Sequence, residues 1–165
     1  EVSPLIRNAY QTQDTEWLAS ALFAMGRSAD KMWEKEVLKM LRHPARDVQE
    51  EAIRAAGQLE LASTREPLLE LLEDAEDLSE EVRTAAIWSL SQIGGTNVRD
   101  TLEELLDASE DEDEAEFLEQ ALENLEFTDG FQFFDLFEVG ERDEDDLDQI
   151  IDLSEEDNNG KASPE

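Results

Sequence analysis

Apolar residues return in this chain at an interval of about 34 positions, in the same local pattern each time. Val82, Ala86, Leu90 and Ile93 stand at offsets of 0, 4, 8 and 11. Val48, Ala52, Ala56 and Leu59 stand 34 residues earlier, and Asp14, Leu18, Leu22 and Met25 another 34 before those. Glu114, Leu118, Leu122 and Leu125 follow 32 residues after the central copy, so the outermost copies keep three of the four positions apolar. Such offsets lie on one side of an α-helix. A second series interleaves with the first: Val37, Leu38, Met40 and Leu41, then Leu68, Leu69, Leu71 and Leu72, then Leu102, Leu105 and Leu106. A helix pair of this kind cannot cover its own stripe, so neighbouring pairs must stack into one core. The expected fold is all-α, an α-solenoid of antiparallel helix pairs.

The spacing predicts helices at about 3–11, 14–26, 31–42, 47–61, 64–74, 79–93, 97–109 and 113–126, with strand-like alternation almost absent. Gly26, Gly94, Gly95 and Gly130 read as helix stops. Within 68–94 the chain runs LLELLEDAEDLSEEVRTAAIWSLSQIG. This resembles a HEAT repeat of the phycobilin-lyase type. In that family a leucine-rich first helix and an acidic turn precede a second helix that opens with Val-Arg (here Val82-Arg83) and closes with Ile-Gly (Ile93-Gly94). Residues 37–59 repeat the pattern with Val48-Gln49 in place of Val-Arg, and 5–26 and 102–125 match more loosely. The resemblance spans about 3–126 and implies a superhelix whose second helices line the concave surface. The Trp, Gly and Tyr spacing of tetratricopeptide repeats, which share the period, is absent.

Charge divides the chain. The 45 acids and 13 bases give −32 overall, yet residues 1–72 carry 12 acids against 9 bases. Residues 73–125 carry 18 acids against 2 bases, and residues 126–165 carry 15 against 2. Phosphate contacts need clustered Lys and Arg, so nucleic acid and anionic membrane surfaces are disfavoured as partners. The acidic end reads either as a solubilising surface or as a device that steers a basic partner or masks Arg54 and Arg27. With no cysteine, disulfides and thiolate chemistry are excluded, and a reducing cytoplasm is the expected compartment. The longest apolar run, Ala21 to Met25, is far short of the roughly 20 residues that span a bilayer.

Two regions are expected: a repeat domain over 1–127 and a largely disordered acidic tail over 128–165. The repeats open on a lone first helix with Leu5, Ile6, Ala9 and Tyr10 as its apolar face and no polar cap before it. Further helices are expected ahead of this edge, and self-association through it where they are missing. The tail begins with Phe127, Phe131, Phe133, Phe134 and Phe137, which read either as a cap on the last repeat or as a linear motif that docks on a partner. Residues 145–153 could form a short amphipathic helix through Leu147, Ile150, Ile151 and Leu153.

No catalytic set emerges. His43, the one histidine, precedes Pro44 at a helix end and reads as a turn residue. The Asp111/Asp113 and Asp143/Asp145 pairs start like calcium loops but lack the later ligands. No Gly-x-Ser-x-Gly and no phosphate-binding glycine loop is present. No metal and no cofactor is expected. Arg83 reads as a structural residue bonded to an acidic turn residue nearby.

Binding remains. At about 100° per residue, Trp88 falls about 200° from the buried stripe centred on Ala86. An outward Trp is costly unless it packs or binds. The expected concave patch comprises Trp88, Phe23, Arg54 and Arg27, aromatic anchors with basic rims; burial of Trp88 by a neighbouring helix is the alternative. Trp17 and Trp33 read as packing residues. The function expected is a non-catalytic protein–protein interaction scaffold binding a protein partner, one with a basic surface if the acidic end steers it. The family resemblance leaves a bilin lyase-like enzyme or chromophore chaperone as the alternative.

Overall fold

A computed structural model describes residues 3–73 and 78–130 of the chain. Phe131, Phe133, Phe134 and Phe137, the helix expected at 145–153 and the tail from 131 onwards lie outside the described residues. The helices are α1 (Ser3–Gln11), α2 (Thr15–Arg27), α3 (Glu34–Met40), α4 (Arg46–Gln58), α5 (Arg65–Glu73), α6 (Glu80–Ile93) and α7 (Val98–Ala108), followed by α8 over 112–130. Short 3-10 turns, Lys31–Trp33 and Ala62–Thr64, lead into α3 and α5. Among the described residues there is no strand, and the compact unit Glu1–Asp129 is an all-α solenoid of the pairs α1/α2, α3/α4, α5/α6 and α7/α8.

Three of the four second helices start on a side-chain cap. The Asp14 carboxylate accepts the backbone N–H groups of Glu16 (3.0 Å) and Trp17 (3.3 Å), the Ser79 hydroxyl accepts that of Val82 (3.4 Å), and the Asp111 carboxylate accepts that of Glu114 (2.9 Å). Ala45 holds the same place before α4 and supplies no side-chain oxygen. His43 holds the turn there, its Nδ1 accepting the Ala45 N–H at 3.1 Å. The second helices end on left-handed residues, Ala29 (φ 53°), Glu60 (φ 49°) and Gly94 (φ 63°). Only the last is glycine, the residue that takes this conformation without a Cβ clash.

Cations from the first-helix starts secure those ends. Lys31 Nζ donates to the Glu60 carbonyl (3.4 Å) and Arg65 Nε to the Gly94 carbonyl (2.6 Å), where the negative end of the helix dipole favours positive charge. Arg99, the next basic residue at this spacing, lies 3.7 Å from the Glu126 carboxylate.

Gly26 is not a stop. It lies inside α2, where a Cβ would sit 3.0 Å from Ala55 Cα, with the Gln58 side chain over it. Gly57 of α4 meets α6 the same way: a Cβ there would lie 2.8 Å from Ser89 Cα, with Gln92 over it. At this crossing the Ser89 hydroxyl donates to the Ile53 carbonyl (2.8 Å). Between α6 and α8, Asn124 Nδ2 donates to Ser91 Oγ (3.0 Å) and the Thr128 hydroxyl to the Ser91 carbonyl (2.9 Å).

Second helices thus touch backbone to backbone through Gly, Ala and Ser, while the leucine-bearing first helices pack much less on each other. The more closely spaced layer is the inner side of a curved stack, so α2, α4, α6 and α8 carry the concave face. Their apolar positions, with those of the first helices, form one continuous core from Ile6 to Leu125. Trp33 is fully buried, as expected, with the Arg7 guanidinium 5.2 Å above its ring. Full burial of a side chain this size stabilises by roughly 3 kcal/mol.

Gly57→Ala tests the crossing. On an open helix the change would add up to about 1 kcal/mol of stability. Here the new methyl meets Ser89 backbone, and a net loss of about 1–3 kcal/mol is expected in urea unfolding. A gain in stability would show that the helices do not approach this closely.

Candidate functional site

Trp88 reaches solvent because of its register on α6. Val82, Ala86, Leu90 and Ile93 are buried in the core, Ser89 faces α4, and Trp88 lies on the remaining side, 38% exposed. Its ring rests beside that of Phe117 from α8, centroids 6.1 Å apart and planes tilted by 37°. A pair at this distance contributes about 0.5–1.5 kcal/mol beyond buried area. Trp88 therefore packs in part on a neighbouring helix and stays open in part.

The open side borders a groove of about 600 Å³ between α4, α6 and α8. Glu50, Arg54 and Gln58 form one wall, Glu80, Glu81 and Trp88 the other, with Phe117 at the end. A second hollow of about 500 Å³ lies beyond it, bordered by Asp111, Asp113, Glu114 and Arg83. The two share Glu80, Thr84 and Phe117, so they are neighbours.

Charge in the groove differs from the expected basic rim. Arg54 is engaged on its own helix, Nη2 lying 2.5 Å from Glu50 and Nη1 2.8 Å from Glu51. Arg83 is also engaged, but not by its own turn: its Nε donates to the Glu114 carboxylate of α8 at 2.7 Å, tying adjacent repeats. Arg46 reaches Glu81 of the next second helix at 3.4 Å in the same way. The Glu81 carboxyl is held below the usual range by its backbone N–H and by Arg46, so it is ionised at neutral pH. With three carboxylates and one neutralised guanidinium on its walls, the groove is acidic.

Arg54 and Trp88 thus share one groove. Phe23 and Arg27 sit apart from it on α2, where the Arg27 guanidinium lies 6.0 Å from the Phe23 ring centre and Phe23 is 52% exposed. Phe117 was missed by sequence reasoning, although its signal was present. The 32-residue shift aligns it with Ala85, on the flank that meets the preceding second helix.

Trp17 occupies that flank in α2, one turn before Ala21, the counterpart of Ala55 and Ser89. No second helix precedes α2 among the described residues, so Trp17 is 59% exposed rather than packed, which corrects the expectation for it. At the same edge Ile6, Ala9 and Tyr10 turn inward onto the core and Leu5 is 69% exposed. The apolar edge therefore consists of Leu5 and Trp17.

No group of three or more His, Cys, Asp or Glu suited to a metal ion occurs among the described residues, and none of their helices is long and apolar enough to cross a membrane. A family profile describing HEAT repeats matches residues 2–79 and 35–125. No curated protein matches the chain.

The Arg83–Glu114 tie has a pH signature. The Arg83 hydrogen bond, helped by one from Ser109, holds the Glu114 carboxyl below the usual glutamate range against the opposing effect of burial. A carboxyl whose pKa is lower folded than unfolded stabilises the fold above the unfolded value. That stabilisation is lost as pH falls through the folded value. A double-mutant cycle of Arg83→Met and Glu114→Gln is expected to give a coupling of about 0.5–1.5 kcal/mol at pH 7, fading towards zero in acid. A coupling that does not change with pH would contradict the assignment.

Proposed function

The chain belongs to the HEAT-repeat family, whose repeats are commonly protein-interaction scaffolds, and from that premise we propose a non-catalytic scaffold that binds a protein partner on the second-helix face. The observation that carries the reading is Trp88, a large aromatic held by Phe117 at the end of an open groove. Aromatic anchors that are fixed in place before binding lose little entropy and dominate interface energies. Arg54 borders the same groove, and Phe23 with Arg27 extends the face onto α2. The matched family is typically non-catalytic.

The phycobilin-lyase likeness is one of repeat motif, and repeat type transfers fold better than activity. A bilin carries two propionate carboxylates, which walls bearing Glu50, Glu80 and Glu81 would repel. The groove supports protein binding over bilin attachment.

The test is capture of partners by the full chain, compared with Trp88→Ala on the inner face and Leu38→Ala on the exposed side of α3. Trp88→Ala is expected to weaken the captured partner by about tenfold or more, and Leu38→Ala to leave it unchanged. Equal capture by all three proteins would contradict the reading.

A further inference from the structure

We infer that the α4–α6–α8 groove takes an arginine-bearing basic segment of the partner protein, with a guanidinium stacked on the open face of Trp88 between the carboxylates of its walls. The inference rests on the scaffold reading and names the chemistry of the partner.

Three observations converge. Every cation bordering the two neighbouring hollows is already neutralised from within the chain, Arg54 by Glu50 and Glu51 and Arg83 by Glu114. Glu80, which borders both hollows, and Asp113, which borders the second, make no ion pair among the described residues. An incoming cation therefore meets uncompensated carboxylates, while an incoming anion finds no free counter-charge. Low-dielectric groove walls strengthen this preference by focusing the field.

The second observation is aromatic. The chain places Arg7 over Trp33 and Arg27 over Phe23, but no cation of the described residues lies over Trp88. Phe117 packs beside the indole, which borders the carboxylate-lined space and remains 38% exposed. A ring face open to solvent next to anionic groups is a receptor for a planar cation, and guanidinium stacks there better than ammonium.

The third observation is the charge of the chain's own C-terminal sequence, which makes it a poor match for the groove. Residues 131–165 hold 13 acids against 2 bases, the same sign as the groove. The phenylalanines at 131–137 would have to enter with those acids beside them.

The experiment uses the full chain and a labelled 12-residue peptide alternating Arg and Gly, with anisotropy as readout, beside peptides carrying citrulline or Lys in place of Arg. The Arg peptide is expected to bind, the Lys peptide more weakly, and the citrulline peptide not at all. Trp88→Ala should weaken the Arg peptide about tenfold. The pair Glu80→Gln with Asp113→Asn, exposed changes that leave the core intact, should weaken it and flatten its salt dependence. The matched pair Glu104→Gln with Asp107→Asn, on the exposed side of α7, should change neither. Equal losses from both charge pairs, or full binding by Trp88→Ala, would overturn the inference by showing attraction to the acidic chain at large. If the Arg peptide fails to bind while partner capture still depends on Trp88, the inference falls and the scaffold reading stands. If capture is independent of Trp88, the scaffold reading falls instead.

Discussion

The structure depends on how closely its second helices approach. Gly26 against Ala55 and Gly57 against Ser89 leave no room for a Cβ on the glycine side, so α2, α4 and α6 meet nearly backbone to backbone. Gly in a helix interior costs about 1 kcal/mol relative to Ala, and the crossing offsets that cost with close contact over the length of the helices. Once the second helices are this near, the first helices must splay, since their leucines need more width. Curvature and the choice of inner face follow from this asymmetry.

Polar contacts reinforce the layer without filling it. The Ser89 hydroxyl on the Ile53 carbonyl, and Asn124 and Thr128 on Ser91, satisfy groups that a closely packed layer would otherwise bury alone. Arg46–Glu81 and Arg83–Glu114 then tie one second helix to the next on the surface. With Arg54 paired to Glu50 and Glu51, these ties occupy the arginines around the groove. The acids left over give the groove its sign, so its electrostatics are a by-product of how the repeats are held together.

The periodicity that specified the fold lies in residues such as Val82, Ala86 and Leu90, whose spacing is set by burial and is therefore legible in one sequence. Trp88 was legible for the same reason, because a helix fixes which side a residue faces. Gly26 was misread as a stop, since glycine serves both left-handed ends and close crossings, and only the neighbouring helix decides between them. Glu60 at φ 49° was invisible for the complementary reason: tertiary packing imposed a turn on a residue that does not prefer it. Trp17 depended on context, since no second helix among the described residues precedes α2 to meet its flank, and Arg54 is paired with glutamates three and four residues before it, which residue type alone does not reveal. Phe117 is the instructive miss, since the repeat register already put it on the flank that faces α6.

If the close-packed second-helix layer holds the solenoid together, its amides must be the last to open. Native-state hydrogen exchange across α3 to α6 measures this directly. The mid-helix amides of α4 and α6 are expected to exchange with one common opening free energy, the largest in the chain, and those of α3 and α5 to open at lower cost. Protection in α3 and α5 equal to or above that of α4 and α6, or separate opening of α4 and α6, would contradict the account.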